Sequence, residues 1–484
     1  MTAVAPAFHL LSRKENLALL ASGPLDVLIV GGGINGAGIV RDLALRKLNA
    51  GRRLRIGLIE KRHFASGTSG RNSQLIHGGL RYLEQFDFGL VREALRERAL
   101  LVKLAPHLVE PLGFLIPFTS WFERCYYGLG LWLYDLLAGS RTIGRRRYFS
   151  REELARLEPG LASASMHSAA IYFDCRVNSA RLLLENIFDA ARHGAIIANY
   201  AEATQWVREG DGFDVRVKDS LDGSQFTIRA RRIVDARGPW EGGGNLRLVR
   251  GSHVVLPALT RSGHAIAHFH TDGRIIFVIP WGPDNRLSLV GTTDVDHPGS
   301  PDEVGISPEE IRYLLGIVRQ LFPSAKDLEP VAVFSSLRPL LAAPGASASK
   351  TSRTHKIRME DGVVKITGGK YTTYRAMSAE AVDLLMQDMA PDLVGRCPTA
   401  EAPFPDSPRP ATREAIIAIA VEHEMAVRLA DLMFVSTYWG YHSRWDAASL
   451  RPIAQQMQER LGWTGERLEQ EIALVLRIGA IPKY

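Results

Sequence analysis

The apolar run Asp26 to Val30 leads directly into Gly31-Gly32-Gly33-Ile34-Asn35-Gly36, and helical periodicity continues from Asn35 to Leu48. A GxGxxG element set between a buried strand and a helix leaves few folds open. Its glycines, Gly31, Gly33 and Gly36, permit a tight turn and let backbone N–H groups approach a pyrophosphate lying on the helix N-terminus. Leu54 to Ile59 reads as a second strand, which completes a βαβ unit of the parallel α/β type. Glu60 closes that strand, where a carboxylate accepts hydrogen bonds from ribose hydroxyls and repels a 2′-phosphate. FAD or NAD is thereby favoured over NADP.

Ser12 and Glu15 form a capping-box pattern ahead of this unit. Beyond it, periodicity predicts helices over Asp87 to Leu104 and Asn178 to His193. From Ala203 to Ala236 the pattern turns to short alternating strands, broken at Glu209-Gly210-Asp211-Gly212 and Asp222-Gly223 as hairpins are. Further strands are expected at Arg250 to Leu256, Arg274 to Pro280 and Leu287 to Gly291. Helices follow from Pro308 to Leu321 and from Lys370 to about Met389. The proline-containing stretch Pro398 to Pro410 reads as a linker to a polar, helical C-terminal segment.

The net charge of +7 comes from basic residues spread along 484 positions, densest at Arg145-Arg146-Arg147 and Arg229 to Arg232. Scattered basic charge suits an anionic cofactor, an anionic substrate or an acidic lipid surface, and equally an ordinary solvated exterior. Three distant cysteines, Cys125, Cys175 and Cys397, indicate neither a disulfide framework nor a thiolate metal site, and fit a reducing compartment. The histidines show no metal-ligand spacing, and no basic, aromatic platform argues for nucleic acid. With no leader pattern and no charge-free run of about 20 residues, a cytoplasmic protein is expected. Trp121 to Ala138 is the most membrane-like piece. Trp121, Phe122, Tyr126, Leu129, Leu133 and Leu136 recur there at helical spacing, as they would in an interfacial helix or, the reading preferred, in a core-facing one.

Seven ordered motifs carry a resemblance over Asp26 to Asp383. They are GGGINGAGI at Gly31 to Ile39, LIHGGLRYLE at Leu75 to Glu84, GPW at Gly238 to Trp240, GSHVV at Gly251 to Val255, VGTTDVD at Val290 to Asp296, LRPL at Leu337 to Leu340 and GGKYTTYR at Gly368 to Arg375. On these the chain resembles the FAD-dependent glycerol-3-phosphate dehydrogenases and oxidases of the aerobic, single-subunit kind. The resemblance implies a Rossmann-like FAD-binding domain of the glutathione-reductase and D-amino-acid-oxidase type. This is an α/β fold, discontinuous over 24–95, 166–245 and 332–392. It implies a mixed-sheet substrate (cap) domain over 96–165 and 246–331, and a helical C-terminal domain over 393–484.

The same resemblance implies oxidation of sn-glycerol 3-phosphate to dihydroxyacetone phosphate, with electrons passed to quinone. The alternatives are an oxidase using oxygen, a dehydrogenase of another small phosphorylated polyol, and a flavin-binding protein without turnover. Gly31, Gly33, Gly36, Glu60, Thr68, Ser69, Leu75, Gly238, Gly369, Thr372 and Thr373 are the implied cofactor contacts. A phosphate dianion calls for fixed cations and bidentate donors. Arg338 and Arg353 match the phosphate-side arginines, and Arg81 and Tyr82 resemble further substrate contacts. Removing a hydroxyl proton while hydride leaves the same carbon requires a base, and His253 and His77 both match; His253 ranks ahead. Lys370 or Arg338 would stabilise the developing alkoxide, and N–H groups at the helix after Lys370 would face the flavin's pyrimidine edge. A peripheral site on the inner face of the cytoplasmic membrane and a homodimer are the further partners implied.

Three places depart from the family pattern. Gly70-Arg71-Asn72-Ser73-Gln74 has glutamine where a lysine is usual, which would remove a charge near the cofactor; Asp235-Ala236-Arg237-Gly238 carries an arginine in a tight turn; and Phe434 to Tyr441 stands near where an arginine-rich helix is expected.

Overall fold

Strand Leu25–Val30 lies between two parallel neighbours, Gln225–Asp235 on one side and Ile56–Ile59 on the other. This computed structural model describes residues 13–46, 53–83, 86–242, 246–341, 355–405 and 410–484, the side chains of Arg81 and Ser163 aside. Ser12, and with it the proposed capping box, falls outside them. The parallel series continues outward through Val363–Gly368 and Ile196–Ala198, with His355–Glu360 antiparallel at one edge. Val27, Leu28 and Ile29 are wholly buried, because both faces of this sheet are covered, one by helices and the other by helix Arg13–Ala21 and the strands at 201–219, so the strand must be apolar throughout. Helices Ile34–Leu45, Ser179–Arg192 and Tyr374–Met389 pack together on one face. The hairpins read from the glycine pairs are present: Ala201–Glu209, Gly212–Asp219 and Gln225–Asp235 pair antiparallel, with Gly210 and Gly223 at positive φ in the turns.

A second sheet of ten strands is mostly antiparallel and forms the wall opposite the first. It takes in Ser168–Val177, paired along its whole length with Val109–Phe118, and Ala332–Leu341, paired with Leu246–Pro257. The division expected from the sequence places both strands with the FAD-binding segments, whereas both belong to the second sheet. Their partners lie roughly fifty to ninety residues away, and a buried apolar strand carries no mark of which sheet it will join. Helix Pro308–Leu321 covers this sheet behind a capping box formed by Ser307 and Glu310.

The C-terminal segment is helical, as expected, but it is not held off by its linker. Leu432, Met433, Phe434, Tyr438 and Tyr441 belong to the same continuous core as Val27 and Ile29. The Tyr200 hydroxyl donates to Asp431 at 2.6 Å across that junction.

Helix Trp121–Ala138 overturns the core-facing reading. Only Leu131, Tyr134 and Ala138 are buried, whereas Trp121, Phe122 and Leu129 are each about two-thirds or more exposed, with Tyr126, Trp132 and Leu136 beside them. Among the described residues no helix is long and apolar enough to cross a membrane. All three cysteines are free thiols.

Candidate active site

Between the two sheets runs a cavity of about 570 Å³, within the range of small-molecule sites. One end is walled by the glycine turn and Glu60, the other by His77, Tyr82, His253, Arg338 and Lys370.

The glycine turn is shaped by backbone crowding. Gly31 has φ of 116°, and a Cβ there would stand 2.6 Å from the Ala236 carbonyl oxygen. A Cβ on Gly36 would stand 1.9 Å from the Gly31 carbonyl oxygen, so Gly36 serves the turn's packing and does not reach the cavity wall. Gly33 has room: the nearest atom to its virtual Cβ is Ser69 Oγ at 3.4 Å. That same Ser69 oxygen accepts from the Ile34 N–H at 2.9 Å, at the first turn of the helix. Glu60 accepts from the Gly32 N–H at 2.6 Å and the Arg62 N–H at 2.9 Å, and burial pushes its carboxyl above the usual range. Thr68 also lines the cavity but spends its hydroxyl on the Leu337 carbonyl, tying the loop to the second sheet.

Across the cavity, Gly368, Gly369, Lys370 and Thr372 approach from the end of the strand Val363–Gly368. A 3₁₀ turn, Tyr371–Thr373, precedes the expected helix. Thr372 Oγ1 accepts from the His77 N–H at 3.1 Å, which joins this turn to the LIHGGLRY loop. Thr373 turns inward, its hydroxyl towards Met377 Sδ, and is absent from the wall. Leu75 and Gly238 also line the cavity.

At the far end, Lys370 is buried with its ammonium 3.6 Å from the centre of the Tyr82 ring, a cation–π contact. Arg338 donates to the Thr293 carbonyl at 3.1 Å, to Thr292 Oγ1 at 2.9 Å and to Asp294. A Cβ on Gly251 would meet the Arg338 guanidinium at 2.4 Å, so the glycine of the GSHVV motif makes room for that group. His253 is 2% exposed; its Nε2 lies 2.9 Å from Ser73 Oγ and its Nδ1 has no hydrogen-bond partner. Burial and the charge of Arg338 depress its pKa to about 3, so the imidazole is neutral. Arg353 lies outside the described residues, and of the Arg81 side chain nothing is described.

Three residues of this site escaped the sequence reading. Asp294, within the VGTTDVD motif, pairs with Arg338. Ser73 meets His253. Asp174 accepts from the Gly78 N–H at 2.9 Å, from Arg98 at 2.7 Å and from the Tyr134 hydroxyl at 2.7 Å, pinning the loop that carries His77. An acid within the apolar strand SAAIYFDCRV was the available signal for Asp174, since a buried carboxylate needs partners.

The sequence pattern of the FAD dependent oxidoreductase family matches residues 26–372, well over half of the chain. The chain belongs to that family. Glycerol-3-phosphate dehydrogenase 2 of Mycobacterium tuberculosis is 39% identical over 383 residues, covering 76% of this chain and 64% of that one. The chain therefore spans a little under two thirds of the length of such mycobacterial relatives. D-erythritol 1-phosphate dehydrogenase of Brucella abortus is 35% identical over 402 residues, covering 78% and 77%. The FAD complex of a glycerol-3-phosphate dehydrogenase from Bacillus halodurans superposes with a TM-score of 0.75 at 23% identity, covering 99% of each chain, which establishes a common fold.

FAD fits the residues present. Gly33, whose virtual Cβ meets only Ser69 Oγ at 3.4 Å, and Gly238, whose Cβ would meet nothing within 4 Å, leave backbone exposed to a phosphate chain. Two of the sequence departures leave that cradle intact. Arg237 is drawn back by Asp235 at 2.7 Å and stacks over Trp206. Gln74 is buried away from the cavity and removes no charge from its wall.

Proposed function

We propose that this FAD-dependent oxidoreductase oxidises a small phosphorylated polyol, sn-glycerol 3-phosphate foremost, to the corresponding ketone, dihydroxyacetone phosphate, with quinone as electron acceptor. The observation that carries the reading is the grouping of Arg338, His253, Lys370 and Tyr82 at one end of a cavity whose other end is a dinucleotide cradle. The relatives' names point to the same substrate class. Gly31, Gly33, Ser69, Gly238 and Thr372 would hold FAD by backbone and hydroxyl contacts, with Glu60 at the ribose. The chemistry that FAD supplies when bound is acceptance of two electrons.

The chain's own residues do the rest. Arg338 offers the phosphate a planar pair of donors. His253, neutral at the cavity wall, accepts the hydroxyl proton, and His77 orients the substrate. Lys370 stabilises negative charge as it develops on the alcohol oxygen. Anaerobic mixing of the purified yellow protein with glycerol 3-phosphate is expected to bleach the flavin within seconds, while glycine and lactate leave it oxidised. D-erythritol 1-phosphate belongs in the same series, because one relative bears that name; faster bleaching by it would reassign the substrate. No bleaching by any phosphorylated polyol would leave a flavin-binding protein without this activity.

The exposed helix supports a second part of the reading, docking to an anionic lipid surface. Trp121, Phe122, Leu129 and Leu136 present apolar and aromatic groups to solvent, and exposed Arg141, Arg145 and Arg147 follow in the chain. The protein is expected to float with phosphatidylglycerol-containing vesicles at low salt and to be left behind by neutral phosphatidylcholine. Phe122→Asp combined with Leu129→Asp should abolish flotation without changing flavin content; a wild-type protein that ignores both vesicles removes the lipid surface as occupant of this face.

A further inference from the structure

The two segments that depart most from the family pattern, Gly70 to Gln74 and Phe434 to Tyr441, meet in the folded chain. Tyr438 is buried, at positive φ, where the helix Trp439–His442 begins. Its hydroxyl accepts from the Ala180 N–H at 3.1 Å and donates to the Gly70 carbonyl at 3.0 Å, with Gln74 Oε1 at 3.4 Å. Gln74 is also buried and at positive φ. Its Oε1 accepts from the N–H and hydroxyl of Ser179 at 2.9 and 3.0 Å, and its Nε2 donates back to Gly70 at 3.2 Å. Both ends of the loop are thus fixed through one tyrosine hydroxyl and one amide. Ser73 sits between them, 2.9 Å from His253.

The other face of His253 is held from the same region. Phe334 stacks on the imidazole with ring centres 4.9 Å apart, and Tyr441 packs on Phe334, again at 4.9 Å. Phe434 backs Tyr441 at 5.0 Å. Arg71, from the divergent loop, places its charge beside the Tyr441 hydroxyl, whose pKa burial raises.

We propose that Tyr438 and Tyr441 are positioning residues: the C-terminal helical region completes the substrate end of the cavity by clamping His253 between Ser73 and Phe334. The catalytic part of this rests on the reading of His253 as proton acceptor. The glutamine is then the loop's anchor to the C-terminal region, and the two departures from the family pattern form one unit.

The test uses full-length holoenzyme carrying Tyr438→Phe, Tyr441→Leu, Gln74→Ala, or Tyr438→Phe with Gln74→Ala. FAD content and bleaching by dithionite are expected to match the wild type. Flavin reduction by glycerol 3-phosphate should slow about 10- to 100-fold, as small misplacements of a reacting group do, with substrate affinity changed less than about 2-fold. The double variant should lose no more than the worse single one, since both act through one loop. Independently of any substrate, histidine-selective NMR should show His253 titrating at least about one pH unit higher in Tyr438→Phe than in the wild type, as the loosened loop admits water. An unmoved His253 titration overturns the clamp, as does wild-type reduction in the two tyrosine variants, additive losses in the double variant, or loss of FAD in their place. If wild-type flavin is not reduced by any phosphorylated polyol, the functional reading fails and the NMR shift still decides the clamp.

Discussion

Arg338→Ala is expected to lower kcat/KM for glycerol 3-phosphate about 10³-fold, mostly through KM, because two charge-assisted hydrogen bonds at about 1.5–3 kcal/mol each would be lost. The guanidinium is suited to the task by what already holds it. Thr292, the Thr293 carbonyl and Asp294 fix its plane at the cavity wall, and Gly251 leaves the space it fills. Asp294 also sets a limit: it pairs with this arginine, so a phosphate dianion bound here would share the guanidinium with a carboxylate. Arg338→Lys should therefore recover only part of the loss, since an ammonium cannot serve the threonine, the carboxylate and a phosphate in one plane. Steady-state kinetics over a wide substrate range separate the outcomes, and a wild-type KM in Arg338→Ala would remove this residue from the phosphate site.

What the sequence disclosed follows from how local each feature is. The turn at Gly31 to Gly36 and the acid at Glu60 are set by a strand, a turn and a helix within 35 residues, so their order in the chain is their order in space. The GSHVV and LRPL motifs were legible as motifs, yet their juxtaposition is not a local property. Leu246–Pro257 pairs with Ala332–Leu341 over ten registered positions, which brings His253 opposite Phe334 and Arg338 opposite Val249. No periodicity states such a pairing. The same gap hid Asp294 as Arg338's partner and misplaced Ser168–Val177.

The exposed face of Trp121–Ala138 was ambiguous for a different reason. Helical spacing of apolar residues tells that one side differs from the other, and only neighbours decide which side is covered. Here the inward positions are Leu131, Tyr134 and Ala138, and Tyr134 is spent on Asp174. The C-terminal region was legible as helical, but its contact with the loop at Gly70 to Gln74 joins segments more than 360 residues apart. That contact depends on a buried hydroxyl that no composition marks.

The second large effect concerns the proton. His253→Gln should slow flavin reduction about 10²-fold or more if His253 is the base, in line with what general-base catalysis contributes. A near-normal rate would move the role to His77. At first sight a group with a pKa of about 3 is a weak acceptor. Burial is the larger cause of that depression and the charge of Arg338 the second, and a phosphate dianion bound to Arg338 offsets the second. Substrate should therefore raise the histidine's pKa, and the acid limb of kcat should lie at higher pH than that of kcat/KM. The same depression makes a stability statement. The unfolded imidazole takes up a proton below about pH 6.5 while the buried one does not until about pH 3. Stability from the neutral site is thus complete above pH 6.5 and is lost as pH falls towards 3, at up to about 1.4 kcal/mol per pH unit. Denaturant unfolding at pH 7 and pH 4 should show a smaller acid loss in His253→Gln than in the wild type. Equal losses in the two proteins would mean that His253 does not carry its proton deficit into the folded state, and the offset by bound phosphate would fall with it.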